Sequence, residues 1–131
     1  MILMDTILVV DDEKKVRSLY KKLLTVEHFE VLEAEDSRSA AKLLLAQPDI
    51  SLVLLDLNLP EIDGSVLYEL IRRIDARTKV IVTSAYPLHD QKKLVVNADD
   101  YYDKSQGMDV LLSKIKNTLE AALARKEEIK A

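Results

Sequence analysis

Residues Ser51–Leu55 read SLVLL and run straight into Asp56. Four aliphatic side chains in succession leave no polar face, so a strand here has to be covered on both sides. Thr6–Val10 (TILVV) and Lys79–Thr83 (KVIVT) have the same character. Strands of that kind belong to parallel sheets, in which crossover helices supply the two covers. The segments between them have helical period. Val16, Leu19, Tyr20, Leu23 and Leu24 recur at the spacing of one helix face. Ala40, Leu43 and Leu44 follow a capping residue, Asp36, and stop before Pro48. Gly64 opens a helix with Leu67, Leu70, Ile71 and Ile74 inward, and Pro87 precedes a short one around Leu88–Val96. From Gly107, Met108, Leu111, Leu112, Ile115, Leu119, Ala122 and Leu123 mark the last helix. Phe29–Ala34 alternates as a second strand and Asp99–Asp103 is a weaker fifth. The expected fold is α/β: a three-layer α/β/α sandwich on a five-stranded parallel sheet. Residues 1–123 make the domain, and 124–131 a charged helical C-terminal extension.

Composition narrows the function classes. With 131 residues, 48% hydrophobic and 32% charged, the chain is a globular domain and not a disordered one. A net charge of -4 with no basic cluster argues against a nucleic-acid footprint or a polybasic membrane patch. The absence of cysteine excludes disulfides and thiolate metal sites. The opening MILMDTILVV lacks a basic flank and is broken by Asp5, unlike a signal peptide. No apolar run reaches the ~18 residues of a membrane span. A soluble cytoplasmic protein is expected.

In open parallel sheets, ligands bind beyond the carboxyl ends of the strands. Those ends carry Asp11 and Asp12, then Asp56, then Thr83 and Ser84, then Asp103 and Lys104. Singly, each has an ordinary explanation as a helix cap, a turn residue or a solvated charge. Together, three clustered carboxylates repel unless a cation sits among them. Magnesium suits such a site, since it takes oxygen ligands and needs few from the protein. Lys104 then offers a point charge to an anion such as a phosphoryl group. A carboxylate in that setting can itself be the nucleophile that accepts phosphorus.

Four motifs stand in order: Val9-Val10-Asp11-Asp12-Glu13; Leu55-Asp56-Leu57-Asn58-Leu59-Pro60-x-x-Asp63-Gly64; Val82-Thr83-Ser84-Ala85; and Asp100-Tyr101-Tyr102-Asp103-Lys104. They resemble the receiver domain of two-component response regulators, over about Thr6 to Leu123. The resemblance implies a flavodoxin-like strand order, 2-1-3-4-5, with Asp56 as phosphoacceptor. It implies Mg2+ held by Asp11, Asp12, Asp56 and the backbone carbonyl of Asn58, with Asp12 a direct ligand and Asp11 direct or through water. Ser84 matches the hydroxyl that moves towards the phosphoryl group, Lys104 the ammonium that pairs with it, and Tyr101 the aromatic that rotates inward. Pro60 and Gly64 shape the loop after Asp56. The implied partners are a histidine kinase or phosphotransfer protein and a downstream protein target or output domain. A phosphorylation-dependent homodimer is compatible with the resemblance, and, from the composition, no direct contact to nucleic acid or membrane is expected. Such a switch is not an enzyme in the usual sense. A stand-alone regulator and a piece of a longer chain both fit.

The chain departs from the family in two places. Ser105 follows Lys104 where a proline, joined by a cis bond, is usual; a cis bond to a non-proline residue costs ~2.5–4 kcal/mol. The interval from Ser84 to Lys104 is about two residues short, and Asn97 stands where glycine is usual, so the fourth helix is expected to be shortened or irregular and partner choice unusual. Two other functions fit these residues less well. A magnesium-dependent phosphatase of the haloacid dehalogenase type would carry a second Asp where this chain has Asn58. A flavodoxin-like flavin binder would want a hydroxyl- and glycine-rich loop where it has Asp11-Asp12-Glu13.

Overall fold

The computed structural model describes residues 4–60 and 62–130, with side chains as far as Ala124. Five strands alternate with five helices: β1 Thr6–Val10, α1 Lys14–Val26, β2 Glu30–Ala34, α2 Ser37–Ala46, β3 Ile50–Asp56, α3 Gly64–Ile74, β4 Lys79–Ser84, α4 Leu88–Leu94, β5 Asp100–Asp103 and α5 Met108–Lys130. All pairings are parallel, in the order β2-β1-β3-β4-β5. The expected fold class and strand order are both present.

Alternate residues of the sheet feed two separate cores, as a period of two requires. Leu8, Val10, Val53, Leu55, Val80 and Val82 pack against Ala40 and Leu44 of α2, Leu67 and Ile71 of α3, and Val95 after α4. Ile7, Val9, Leu52, Leu54 and Ile81 pack against Tyr20 and Leu24 of α1 and Leu111 and Ile115 of α5. Asp36 caps α2 as expected, its carboxylate accepting the Ser39 N–H at 2.8 Å while the Ser39 hydroxyl faces the Asp36 N–H.

Three positions placed inward by helical period are not buried: Leu19 is 53% exposed, Leu70 40% and Leu123 58%. A helix lying on a sheet is covered over only part of its circumference, and these residues fall on the flanks. In the extension, the α5 backbone continues to Lys130; the side chains from Arg125 onward, and Ala131, lie outside the described residues.

The fourth helix is short, seven residues, as the reduced interval implies. Asn97 follows it with φ 70°, in the left-handed region, which explains its replacement of the usual glycine. Asparagine is among the few residues that adopt this conformation readily. Asn97→Val should therefore destabilise the fold by roughly 1–2 kcal/mol, whereas Asn97→Gly should stay within about 0.5 kcal/mol of the parent, both read from urea unfolding.

Candidate functional site

β1 and β3 lie side by side with Val10 opposite Leu55, so the chain leaves both strands at the same edge of the sheet. Asp11 and Asp56 stand at that edge, 1% and 2% exposed. Asp12 is exposed, yet one oxygen from each of Asp11, Asp12 and Asp56 lies within 4.8 Å of the other two. From the end of β5 the Lys104 ammonium reaches across β4, to 2.7 Å from Asp11 Oδ2 and 3.3 Å from Asp56 Oδ2. Of the rim group inferred from the strand ends, Asp11, Asp12, Asp56 and Lys104 are thus brought together, while Asp103 turns to a backbone role described below.

Each member is fixed by local bonds. Asp11 Oδ1 accepts the Glu13 N–H at 2.9 Å, and Arg17 donates to the Asp11 carbonyl at 2.7 Å while pairing with Glu33 at 3.4 Å. Asp56 Oδ1 accepts the Asn58 N–H at 3.1 Å, and the Leu57 N–H extends the β3–β4 pairing to Thr83. Asn58 is thus tied to Asp56 by its backbone N–H, its side chain lying exposed. Gly64 begins α3 directly beneath this loop: a Cβ there would lie 2.6 Å from the Asp56 carbonyl oxygen and 2.7 Å from Leu57 Cα. Its φ is not positive, so close approach is what requires glycine.

Lys104 is aimed without a cis bond; every peptide bond among the described residues is trans. The Lys104 N–H donates to the Ser84 carbonyl at 2.8 Å, the Asp103 carboxylate accepts the Ser105 N–H at 2.8 Å, and Gln106 N–H donates to the Asp103 carbonyl at 2.9 Å. An Asp-anchored turn takes over the task of the missing proline.

Burial pushes the Asp56 carboxyl pKa up; the Lys104 ammonium and the Asn58 N–H draw it back, and the Asp11 charge adds to the rise, leaving it above the ordinary carboxylate value. Burial also disfavours the Lys104 ammonium, but its hydrogen bond to Asp11 and the charges of Asp56 and Asp11 outweigh that and raise its pKa. Three carboxylates against one ammonium leave two negative charges uncompensated. An oxygen-only donor set of that charge suits one hard divalent cation, which is the fit Mg2+ requires.

Ser84 closes β4, fully buried, with its hydroxyl oxygen accepting the Tyr86 N–H at 3.1 Å. Thr83 is the residue in register with Asp56. Tyr101 is half-buried and turned to the loop after α4: its hydroxyl donates to the Val95 carbonyl at 2.5 Å and accepts the Ala98 N–H at 3.1 Å. Two residues escaped the sequence reading. Arg17 gave no signal. Gln91 did: it occupies the inward stripe of α4 between Leu88 and Val95, where a polar residue is out of place.

The family model described as "response regulator receiver domain" matches residues 7–116. The chain belongs to the response regulator receiver family. This receiver is 35% identical over 120 residues to the chemotaxis protein CheY of Bacillus subtilis, an alignment covering 86% of this chain and 96% of CheY. It is 32% identical to the transcriptional regulatory protein CpxR of Escherichia coli, over 88% of this chain and 50% of CpxR. The chain thus spans about half the length of CpxR, and similarly 52% of the transcriptional regulatory protein YxdJ of B. subtilis, to which it is 30% identical over 91% of its own length. Among solved structures, a CheY-like receiver domain protein of Methanospirillum hungatei superposes with a TM-score of 0.88 at 26% identity, over 94% of this chain and 99% of that one. The response regulator TrrA of Thermotoga maritima, solved in complex with Mg2+ and BeF, gives 0.80 at 35% identity, over 88% and 99%. Neither the structure nor these relatives support the haloacid dehalogenase reading.

Two outcomes follow from the site geometry. Gly64→Ala forces backbone apart at Asp56 and Leu57 and should destabilise the receiver by roughly 1–3 kcal/mol in urea unfolding. Because the folded-state pKa of Asp56 lies above its unfolded value, ionising it costs stability as pH rises through that interval. Asp56→Asn removes the cost. With chelator present, the variant should melt above the parent at neutral pH, and its advantage should shrink as the solution is acidified towards about pH 4.

Proposed function

We propose that Asp56 accepts a phosphoryl group from the phosphohistidine of a histidine kinase or phosphotransfer protein, and that its phosphorylation switches a protein-interaction face. One observation carries this reading: three carboxylates from the ends of two adjacent strands meet within 4.8 Å, and the Lys104 ammonium contacts the two buried ones. An Asp56 carboxylate oxygen attacks phosphorus; the P–N bond to the donor imidazole breaks as the acyl-phosphate P–O bond forms, and the imidazole leaves carrying the electron pair. Lys104 pairs with the phosphoryl oxygens, and the Ser84 hydroxyl moves to donate to one of them. Asp11, Asp12, Asp56 and the Asn58 carbonyl would hold Mg2+, which when bound neutralises charge on the transferring group.

The phosphoryl group adds charge and strong acceptor oxygens, and the contacts it makes with Ser84 and Lys104 are the differential interaction that drives the switch. Tyr101 is the second moving part: its rotation would release the loop it now ties down. Residues 1–123 act as the receiver unit, with 124–131 as an extension. Output passes to a further domain or to a downstream protein by direct contact, and phosphorylation-dependent self-association belongs with either. The protein works in the cytoplasm and turns over no external product. Among the described residues no helix is long and apolar enough to cross a membrane.

Incubation with magnesium and a small phosphodonor should label the parent chain at Asp56, and Asp56→Asn should take up no label. Labelling of the variant at the same peptide would show the assignment to be wrong.

A further inference from the structure

The loop between β4 and α4 has few internal bonds available to it. Pro87 has no N–H, and as the residue preceding α4 it has no side chain with which to cap that helix. The loop is held instead from inside α4. Gln91 is 0% exposed, and its side-chain amide donates to the Tyr86 carbonyl at 2.8 Å and to the Tyr102 carbonyl of β5 at 3.0 Å. Tyr86 in turn donates its own N–H to the Ser84 hydroxyl oxygen at 3.1 Å. A three-residue chain of hydrogen bonds therefore runs from Gln91 through Tyr86 to the hydroxyl at the end of β4.

The amide oxygen of Gln91 is buried with no donor among the described residues. Both amide hydrogens are spent on backbone carbonyls while the acceptor goes unanswered, which is costly to maintain in a site closed to water. An apolar residue would fill this inward position without that cost. What it would not supply is a tie between the loop and β5.

We propose that Gln91 is a positioning residue for Ser84: its amide clasps the β4–α4 loop to β5 and sets the cost of moving the Ser84 hydroxyl towards a phosphoryl group on Asp56. The proposal rests on the phosphoacceptor role argued above. Removing the clasp frees the loop to follow the phosphoryl group, so the activated arrangement becomes easier to reach.

The test is magnesium-dependent beryllofluoride binding by the full chain and by Gln91→Met and Gln91→Leu, which keep similar bulk and lose both donors. Each variant should bind beryllofluoride about tenfold more tightly than the parent, the loss of two ordinary hydrogen bonds being expressed as a population shift. A merely space-filling Gln91 would change melting temperature and leave this affinity alone. Folded variants with unchanged or weakened affinity overturn the proposal. The parent supplies an independent measurement by NMR: the Gln91 side-chain amide protons should be protected from exchange in the free chain and lose protection with beryllofluoride, and protection that persists overturns the clasp even if neither variant folds. If the parent binds no beryllofluoride, it is the phosphoacceptor reading that fails.

Discussion

Lys104 standing between Asp11 and Asp56 is the contact around which the rest of this molecule is arranged. Two carboxylates nearly sealed from water would be costly neighbours, because like charges repel and neither is hydrated. The ammonium at 2.7 and 3.3 Å offsets that cost only because three separate strands end at the same edge of the sheet. β1 and β3 are central and adjacent, so they can be buried along nearly their whole length and still deliver an aspartate each to one spot. β5 lies at the margin, and only a side chain as long as lysine spans the distance back across β4. Shortening any of these strands, or shifting one by a residue, would leave a buried charge without its partner, which costs more than the pair contributes when intact.

That dependence explains why so much of the site was legible beforehand. TILVV, SLVLL and KVIVT carry apolar residues on both faces, and parallel strands covered on both sides put their ends on one rim. The carboxylates could be grouped from topology alone. Where the reading went wider than the molecule, the cause was geometric: period identifies the apolar side of a helix, but the sheet covers only a strip of it, which left Leu19 and Leu70 on the flanks. Gln91 was missed for a different reason. Its partners are the carbonyls of Tyr86 and Tyr102, and a sequence does not display which backbone groups lack a donor. Arg17, likewise, acts on the Asp11 carbonyl.

The departures from the family pattern have the same physical logic. A proline after Lys104 would fix the chain direction through one covalent constraint. Here three hydrogen bonds, from Lys104 to Ser84, Ser105 to Asp103 and Gln106 to Asp103, set that direction. The ammonium still reaches both carboxylates, so a constraint of covalent origin has been exchanged for one made of turn bonds.

The shortened fourth helix was exchanged for something more consequential. A longer helix would satisfy the carbonyls near its end with its own N–H groups. Here the Val95 carbonyl accepts from the Tyr101 hydroxyl, and the Asn97 carbonyl accepts from the Tyr68 hydroxyl at 2.9 Å. Tyr68 belongs to α3, and Arg72 one turn on donates to the Tyr68 oxygen at 3.1 Å and pairs with Asp99 at 3.0 Å. Asp99 in turn accepts the Val80 N–H at 2.8 Å, at the start of β4. The loop after α4 is therefore fastened to β5 on one side and to α3 on the other. The first residue of α3 is Gly64, packed against the carbonyl of Asp56 with no room for a methyl group. Close-packed elements respond to a local change by shifting between discrete arrangements. A displacement at Asp56 thus has two contiguous routes to the two ends of α4: one through Ser84 and Tyr86 to the loop before it, the other through α3 and its tyrosine to the loop after it. The second exists in this chain because the carbonyls of Val95 and Asn97, just beyond the short helix, are satisfied by side chains from β5 and α3.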